Sequence, residues 1–170
     1  MSAGDKVVLT LPNEYQLVLR SEQQLGCARY IVNEVFKKRS YWREGFEIGP
    51  TDTVVDIGAN VGVFALWAAS QAGRVVSVEP TAAIECLEAS LAANGIKNVT
   101  PVRNAVSNET GTLKLLEHPG FNAVSHHANF EQTRWNQRFI RLFFRKEQQP
   151  PIEVECPCTT LAQLLIDLEI

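Results

Sequence analysis

Short alternating runs open the chain. Lys6–Leu11 and Tyr15–Leu19 flank Pro12-Asn13-Glu14, a spacer of turn-forming residues, and this pattern predicts a β-hairpin. From Glu22 to Lys38 the apolar positions Leu25, Ile31, Val32, Val35 and Phe36 recur at helical spacing, with polar residues opposite. Tyr41 and Trp42 precede the Gly49-Pro50 turn, either packing a loop onto the domain or contacting a ligand. Thr53-Val54-Val55-Asp56-Ile57 is then a continuous β-favouring run that leads through Gly58-Ala59-Asn60-Val61-Gly62 into a helical stretch, Val63–Ser70. Arg74–Val78 is a second buried run and ends in Glu79-Pro80. Thr81 is placed to cap a helix through Ile84, Leu87, Leu91 and Ala92, which closes at Asn94-Gly95, and Val99–Asn104 makes a third strand. Strand and helix in this alternation imply right-handed crossovers and a parallel sheet in the order 3-2-1, hence an α/β fold. Beyond a turn at Ser107–Gly111, Thr112–Leu116 is expected to pair antiparallel with Ile152–Cys156, and a helix begins at Thr160.

The bend after the first buried strand carries the candidate chemistry. A strand that opens through glycines into a helix brings backbone N–H groups to the carboxyl edge of a sheet, where ligands bind in open α/β folds. Glu79 lies roughly 20 residues past the bend, the spacing at which a carboxylate reaches the hydroxyls of a ribose. A dinucleotide fold wants G-x-G-x-x-G, yet Asn60 stands where the second glycine should admit a pyrophosphate, which disfavours an NAD(P)-dependent oxidoreductase. Asp56 at the strand end repels phosphate and suits an ammonium or sulfonium group. An adenosine ribose with a charged amino-acid tail meets both conditions, which points to S-adenosylmethionine. Gly58 and Gly62 then give backbone access, and Asn60 is positioned to hydrogen-bond the tail. Asn104 and Ala105 fall beside the ribose site at the end of the third strand, where Asn104 either contacts the ligand or caps a turn.

Val-Val-Asp-Ile-Gly-Ala-Asn-Val-Gly-Val-Phe-Ala, then Val-Ser-Val-Glu-Pro, then Val-Arg-Asn-Ala-Val-Ser, resembles the FkbM family of S-adenosylmethionine-dependent methyltransferases. Asn33-Glu34-Val35-Phe36, Tyr41 and Gly45-Phe46-Glu47-Ile48 are similar to that family's lead-in. The resemblance runs from about Asn33 to Leu116 and resumes weakly over Val154–Leu165. It implies a Rossmann-like methyltransferase sheet with an N-terminal hairpin and helix as lead-in (1–50) and a partial nucleotide-binding domain (51–170). Only the 3-2-1 half of that sheet is expected, the later strands being missing, so the first strand should present an open edge and an apolar flank. The implied activity is O-methylation of a small molecule or sugar, with activity of the shortened chain in doubt. The alternative is a non-catalytic module that binds cofactor or docks on a membrane or partner. No residue identifies the acceptor or a catalytic base.

Composition refines this picture without changing it. The 170 residues and 45% hydrophobic content suit one domain with a real core. A net charge of −3 gives no reason to expect bulk binding to nucleic acid, and no early apolar run follows a basic start. A cytoplasmic protein is the expectation. Cys27, Cys86, Cys156 and Cys158 are too irregularly spaced for a disulfide framework, and Cys156-Pro157-Cys158 lacks a second pair to complete a metal site. Arg134, Arg138, Arg141 and Arg145 line one face of a basic amphipathic helix, with Trp135, Phe139, Leu142 and Phe143 beside them. That helix is read either as a lid over the domain or as a peripheral membrane or protein contact. His118, His126 and His127 precede it, and adjacent histidines on an extended segment point to opposite faces, which argues against a shared metal.

Overall fold

The computed structural model describes residues 6–117, 126–127 and 152–170. The arginine-bearing stretch and His118 therefore lie outside the described residues.

Strands β1 (Val7–Thr10) and β2 (Gln16–Leu19) form the expected antiparallel hairpin, in register from Val7 opposite Leu19 to Thr10 opposite Gln16. The turn closes through Glu14 N–H to Leu11 O and Leu11 N–H to Tyr15 O, at 2.9 and 2.8 Å. The outer edge of β2 is sealed by side chains rather than by another strand. Asn94 accepts from the Gln16 N–H and donates to the Gln16 carbonyl, while the Ser90 hydroxyl accepts from the Val18 N–H. Buried backbone groups need such partners. Helix α1 (Gln23–Val32) follows and passes into a π-helical turn, Asn33–Lys37, where the sequence pattern alone reads as one continuous helix.

The centre of the molecule is a parallel sheet of β3 (Thr53–Ile57), β4 (Arg74–Val78) and β5 (Val99–Val102), ordered β3-β4-β5. This is the 3-2-1 order expected of an α/β Rossmann-like half-sheet. Helices α2 (Val63–Ala69) and α3 (Ile84–Asn94) supply the crossovers. Fully buried Leu66 and Leu87 from these helices meet Val75 and Val99 of the sheet and Leu11, Leu17 and Leu19 of the hairpin in one cluster. The opposite face of β4, Val76 and Val78, is covered by Leu164 of the last helix, α4 (Leu161–Asp167). Burial on both faces explains why Val75, Val76 and Val78 of β4 are all apolar, with Ser77 buried among them. Pro101 is tolerated in β5 because β5 is an edge strand. Among the described residues β3 pairs only with β4, and Ile57 is 50% exposed at its end.

A second sheet contains β6 (Ala105–Ser107), β7 (Gly111–Glu117), β8 (His126–His127) and β9 (Ile152–Thr160), ordered β6-β9-β7-β8. The expected antiparallel pairing of β7 with β9 is found, from Gly111 opposite Cys158 to Glu117 opposite Ile152. Two boundaries differ from the sequence reading. The third parallel strand stops at Val102 rather than Asn104, because the chain turns at Arg103-Asn104 and joins the second sheet as β6. Strand β9 runs through Pro157 to Thr160, which then caps α4 by accepting from the Gln163 N–H at 3.1 Å. The Cys156 and Cys158 thiols lie in this sheet's core and face the carbonyls of Leu113 and Glu109, so the Cys-Pro-Cys motif is a packing element.

Candidate functional site

A cavity of about 580 Å³ opens where the carboxyl ends of β3 and β4 meet the second sheet. Its volume lies in the range of small-molecule sites, roughly 300–1,000 Å³. Of the residues singled out from the sequence, Asp56, Gly58, Asn60, Glu79, Asn104 and Ala105 all line it. Gly62 does not. It is the residue before α2, at φ +93°, and a Cβ there would lie 2.6 Å from Leu87 Cδ1. Both the left-handed φ and the close approach of Leu87 from α3 favour glycine at that position. Gly58, at φ +81° with open space where a Cβ would be, keeps the backbone exposed to the cavity.

Register brings the acids together. Asp56 stands opposite Ser77 in the parallel ladder, one residue before the end of each strand, and Glu79 follows β4 directly. Glu79 is 5% exposed, and its carboxylate organises the bend. Oε2 accepts from the Asn60 N–H at 2.9 Å, and Oε1 accepts from the Thr81 N–H at 2.9 Å and from the Thr81 hydroxyl at 2.6 Å. These bonds hold Asn60 at φ +51°, a left-handed conformation that asparagine tolerates. A carboxylate offers about four acceptor positions, so one on Oε2 remains for a ligand hydroxyl. The Thr81 hydroxyl also accepts from the Ala83 N–H, so Thr81 ties Glu79 to the approach of α3 instead of capping the helix itself, whose preceding residue is Ala83.

Asp56 is in the opposite condition. Its Oδ2 is buried without a hydrogen-bond partner, and neither Asp56 nor Glu79 forms an ion pair among the described residues. Burial, and secondarily the nearby Glu79 charge, push the Asp56 carboxyl up to about 7. Asn104 Oδ1, on the same cavity, is likewise buried and unpartnered. An unsatisfied buried acceptor is costly, and a cavity bordered by two of them fits a ligand with complementary donors. A cationic amino group would suit Asp56, an exocyclic amine Asn104, and a vicinal hydroxyl Glu79.

The sequence reading missed the far wall. Leu113 and Leu115 of β7, Val106 of β6, Ile31 of α1 and Phe64 of α2 close the cavity with apolar surface. The alternation Leu113-Lys114-Leu115 marks which β7 positions face inward, but nothing local shows that β6 and β7 sit beside β4. No group of three or more His, Cys, Asp or Glu side chains suited to a metal occurs among the described residues. No described helix is long and apolar enough to cross a membrane.

No protein-family model matches the chain. It is 34% identical over 104 residues to the Streptomyces tacrolimicus protein named 31-O-demethyl-FK506 methyltransferase FkbM, covering 59% of this chain and 39% of that protein. It is 31% identical over 126 residues to AMB antimetabolite synthetase AmbE of Pseudomonas aeruginosa PAO1, covering 72% of this chain and 6% of that protein. The chain thus spans well under half the length of either relative. Among solved structures, the M. jannaschii tRNA m1G37 methyltransferase superposes at a TM-score of 0.38 with 18% identity, over 62% of this chain and 36% of that one.

Proposed function

We propose that this chain carries the donor-binding half of an S-adenosylmethionine-dependent methyltransferase of the FkbM type, acting on a hydroxyl of a small molecule. The observation that carries the reading is the pair of unpartnered buried acceptors, Asp56 Oδ2 and Asn104 Oδ1, on one cavity with Glu79. The partial identity to a methyltransferase named for an O-demethylated substrate supports the same reading. Asp56 would hold the ammonium of the donor's amino-acid end, the remaining lone pair on Glu79 a ribose hydroxyl, and Asn104 the adenine amine. The exposed backbone at Gly58 lets the ligand approach the bend closely. When bound, the donor supplies an electrophilic methyl group on sulfur. The protein contributes orientation and exclusion of water, which together account for much of the rate in such bimolecular displacements. The lead-in of residues 1–50 serves as one side of this site, through Ile31 and Tyr41.

Titration calorimetry with S-adenosylmethionine tests the reading directly. Wild-type chain is expected to bind, and Asp56→Ala to lose at least tenfold in affinity, the equivalent of about 1.4 kcal/mol for one charged contact. Equal affinity of the two proteins, or no binding by the wild type, would overturn it.

A further inference from the structure

A second hollow, of about 160 Å³, lies on the other side of Tyr41. Phe36, Trp42, Phe46 and Trp67 line it, and Tyr41 borders both this groove and the larger cavity. An aromatic row forms the wall between them: Tyr41 and Phe64 have centroids 4.9 Å apart, and Phe64 and Trp67 5.3 Å apart. The groove is not sealed. Tyr41, Trp42 and Phe46 are 59%, 41% and 76% exposed, a concentration of bare aromatic surface found nowhere else among the described residues. Isolated apolar side chains on a surface are unremarkable, but a contiguous aromatic group around a concavity marks a contact site.

Charge at the rim narrows what fits. The Arg39 guanidinium lies over the Trp42 ring at 4.5 Å, and that of Arg43 over Phe46 at 5.9 Å. Neither arginine has a carboxylate partner among the described residues, unlike Lys38, which is bonded to Glu34. The one acid in the groove, Glu47, accepts from the Gly45 N–H at 3.2 Å. Arg39 lines the groove and Arg43 flanks it over Phe46, and a guanidinium over a ring face keeps N–H groups for a carboxylate or phosphate. The volume matches a single ring, since a cavity of ~150 Å³ admits benzene.

We propose that this aromatic groove is the methyl-acceptor subsite and takes the ring of an anionic small molecule, whose carboxylate or phosphate is held by Arg39 and Arg43. The assignment rests on the donor-site reading above and adds the substrate class. Tyr41 borders both hollows and is largely exposed, so a ring seated against Trp42 and Trp67 anchors the acceptor while a hydroxyl-bearing substituent passes the Tyr41 edge to reach the donor cavity.

The test uses simple probes on the ¹⁵N-labelled chain: benzoate as ring plus anion, benzyl alcohol as ring alone, and acetate as anion alone. Benzoate is expected to shift the indole N–H signals of Trp42 and Trp67, with Trp42→Phe assigning the former. Benzyl alcohol should bind about tenfold more weakly, and acetate should leave both signals in place. The double variant Arg39→Gln/Arg43→Gln should remove the advantage of benzoate over benzyl alcohol, while Phe46→Ala should weaken both ring compounds. S-adenosylhomocysteine affinity should be unchanged in these variants. No response to benzoate in a chain that binds S-adenosylhomocysteine overturns the subsite alone, as does a benzoate preference that survives loss of both arginines. A chain that binds benzoate but no adenosyl ligand overturns the donor reading and, with it, the acceptor assignment. A second copy filling the groove would appear in light scattering as a dimer lost on Phe46→Ala, and would overturn the small-molecule occupant.

Discussion

Replacing Asp56 by asparagine tests the electrostatics of the cavity without changing its shape. In the folded chain the Asp56 carboxyl titrates near 7, against an ordinary 3.8 when unfolded. Because the folded value is the higher one, the native chain keeps a proton over this interval that the unfolded chain has released. Stability from this group is therefore fully present below about pH 4 and is lost as pH rises toward 7. The interval from 3.8 to about 7, at ~1.36 kcal/mol per pH unit, amounts to about 4 kcal/mol. Asp56→Asn removes the titration, so its stability relative to wild type should rise by about that amount between pH 4 and pH 8. Urea unfolding followed by circular dichroism, on both proteins across that range, measures the difference directly. A gap between the two that stays constant with pH would refute the reasoning, because it would mean that water or an unrecognised donor already satisfies Oδ2. The same substitution should abolish the pH dependence of cation binding: wild-type affinity for S-adenosylmethionine should climb through pH 7 as the carboxylate forms, and the variant's should not follow it.

Other substitutions probe the framework around the cavity. Gly62→Ala should cost clearly more than Gly58→Ala in urea midpoint, since both have positive φ but only Gly62 has Leu87 in the way of a Cβ. Similar losses at the two sites would show that backbone strain alone governs the bend. Glu79→Gln should destabilise the chain by about 2–3 kcal/mol, because the amide cannot accept from all of Asn60 and Thr81 as the carboxylate does. Faster amide exchange at Asn60 would locate the loss. Thr160→Ala removes the hydroxyl that receives the Gln163 N–H and should cost about 1 kcal/mol, read as a lowered midpoint of thermal unfolding.

The elements that local pattern specifies were legible in the sequence, and the relations among distant segments only in part: the pairing of β7 with β9 was expected, that of β6 with β9 was not. Alternation and a turn cluster predict the hairpin, and buried runs punctuated by glycine predict β3, α2, β4 and α3 in order. Six of the seven site candidates reach the cavity because one rule, carboxyl ends of parallel strands, collects Asp56, Gly58, Asn60, Glu79, Asn104 and Ala105. Gly62 fails that rule for a tertiary reason, the proximity of Leu87, which no local pattern encodes. The same limit hid β6: Ala105-Val106-Ser107 is too short to show a period, and its partner is Cys158–Thr160, some fifty residues away. Thr81 was visible as a polar residue before a helix, but its attachment to Glu79 depends on β4 ending at Val78 in the right orientation.

Strand β3 delivers Asp56 to the cavity from a ribbon that, among the described residues, is bonded on one side only. Its outer row of amides and carbonyls is a template for any extended peptide that drifts alongside, so concentrated samples of this chain should cloud or self-associate before they unfold. Whatever settles against that row also thickens the dielectric shield over Asp56 and makes its proton harder to remove. Acid strength in the cavity is thus adjustable from the back of the strand, by a neighbour that never enters the cavity.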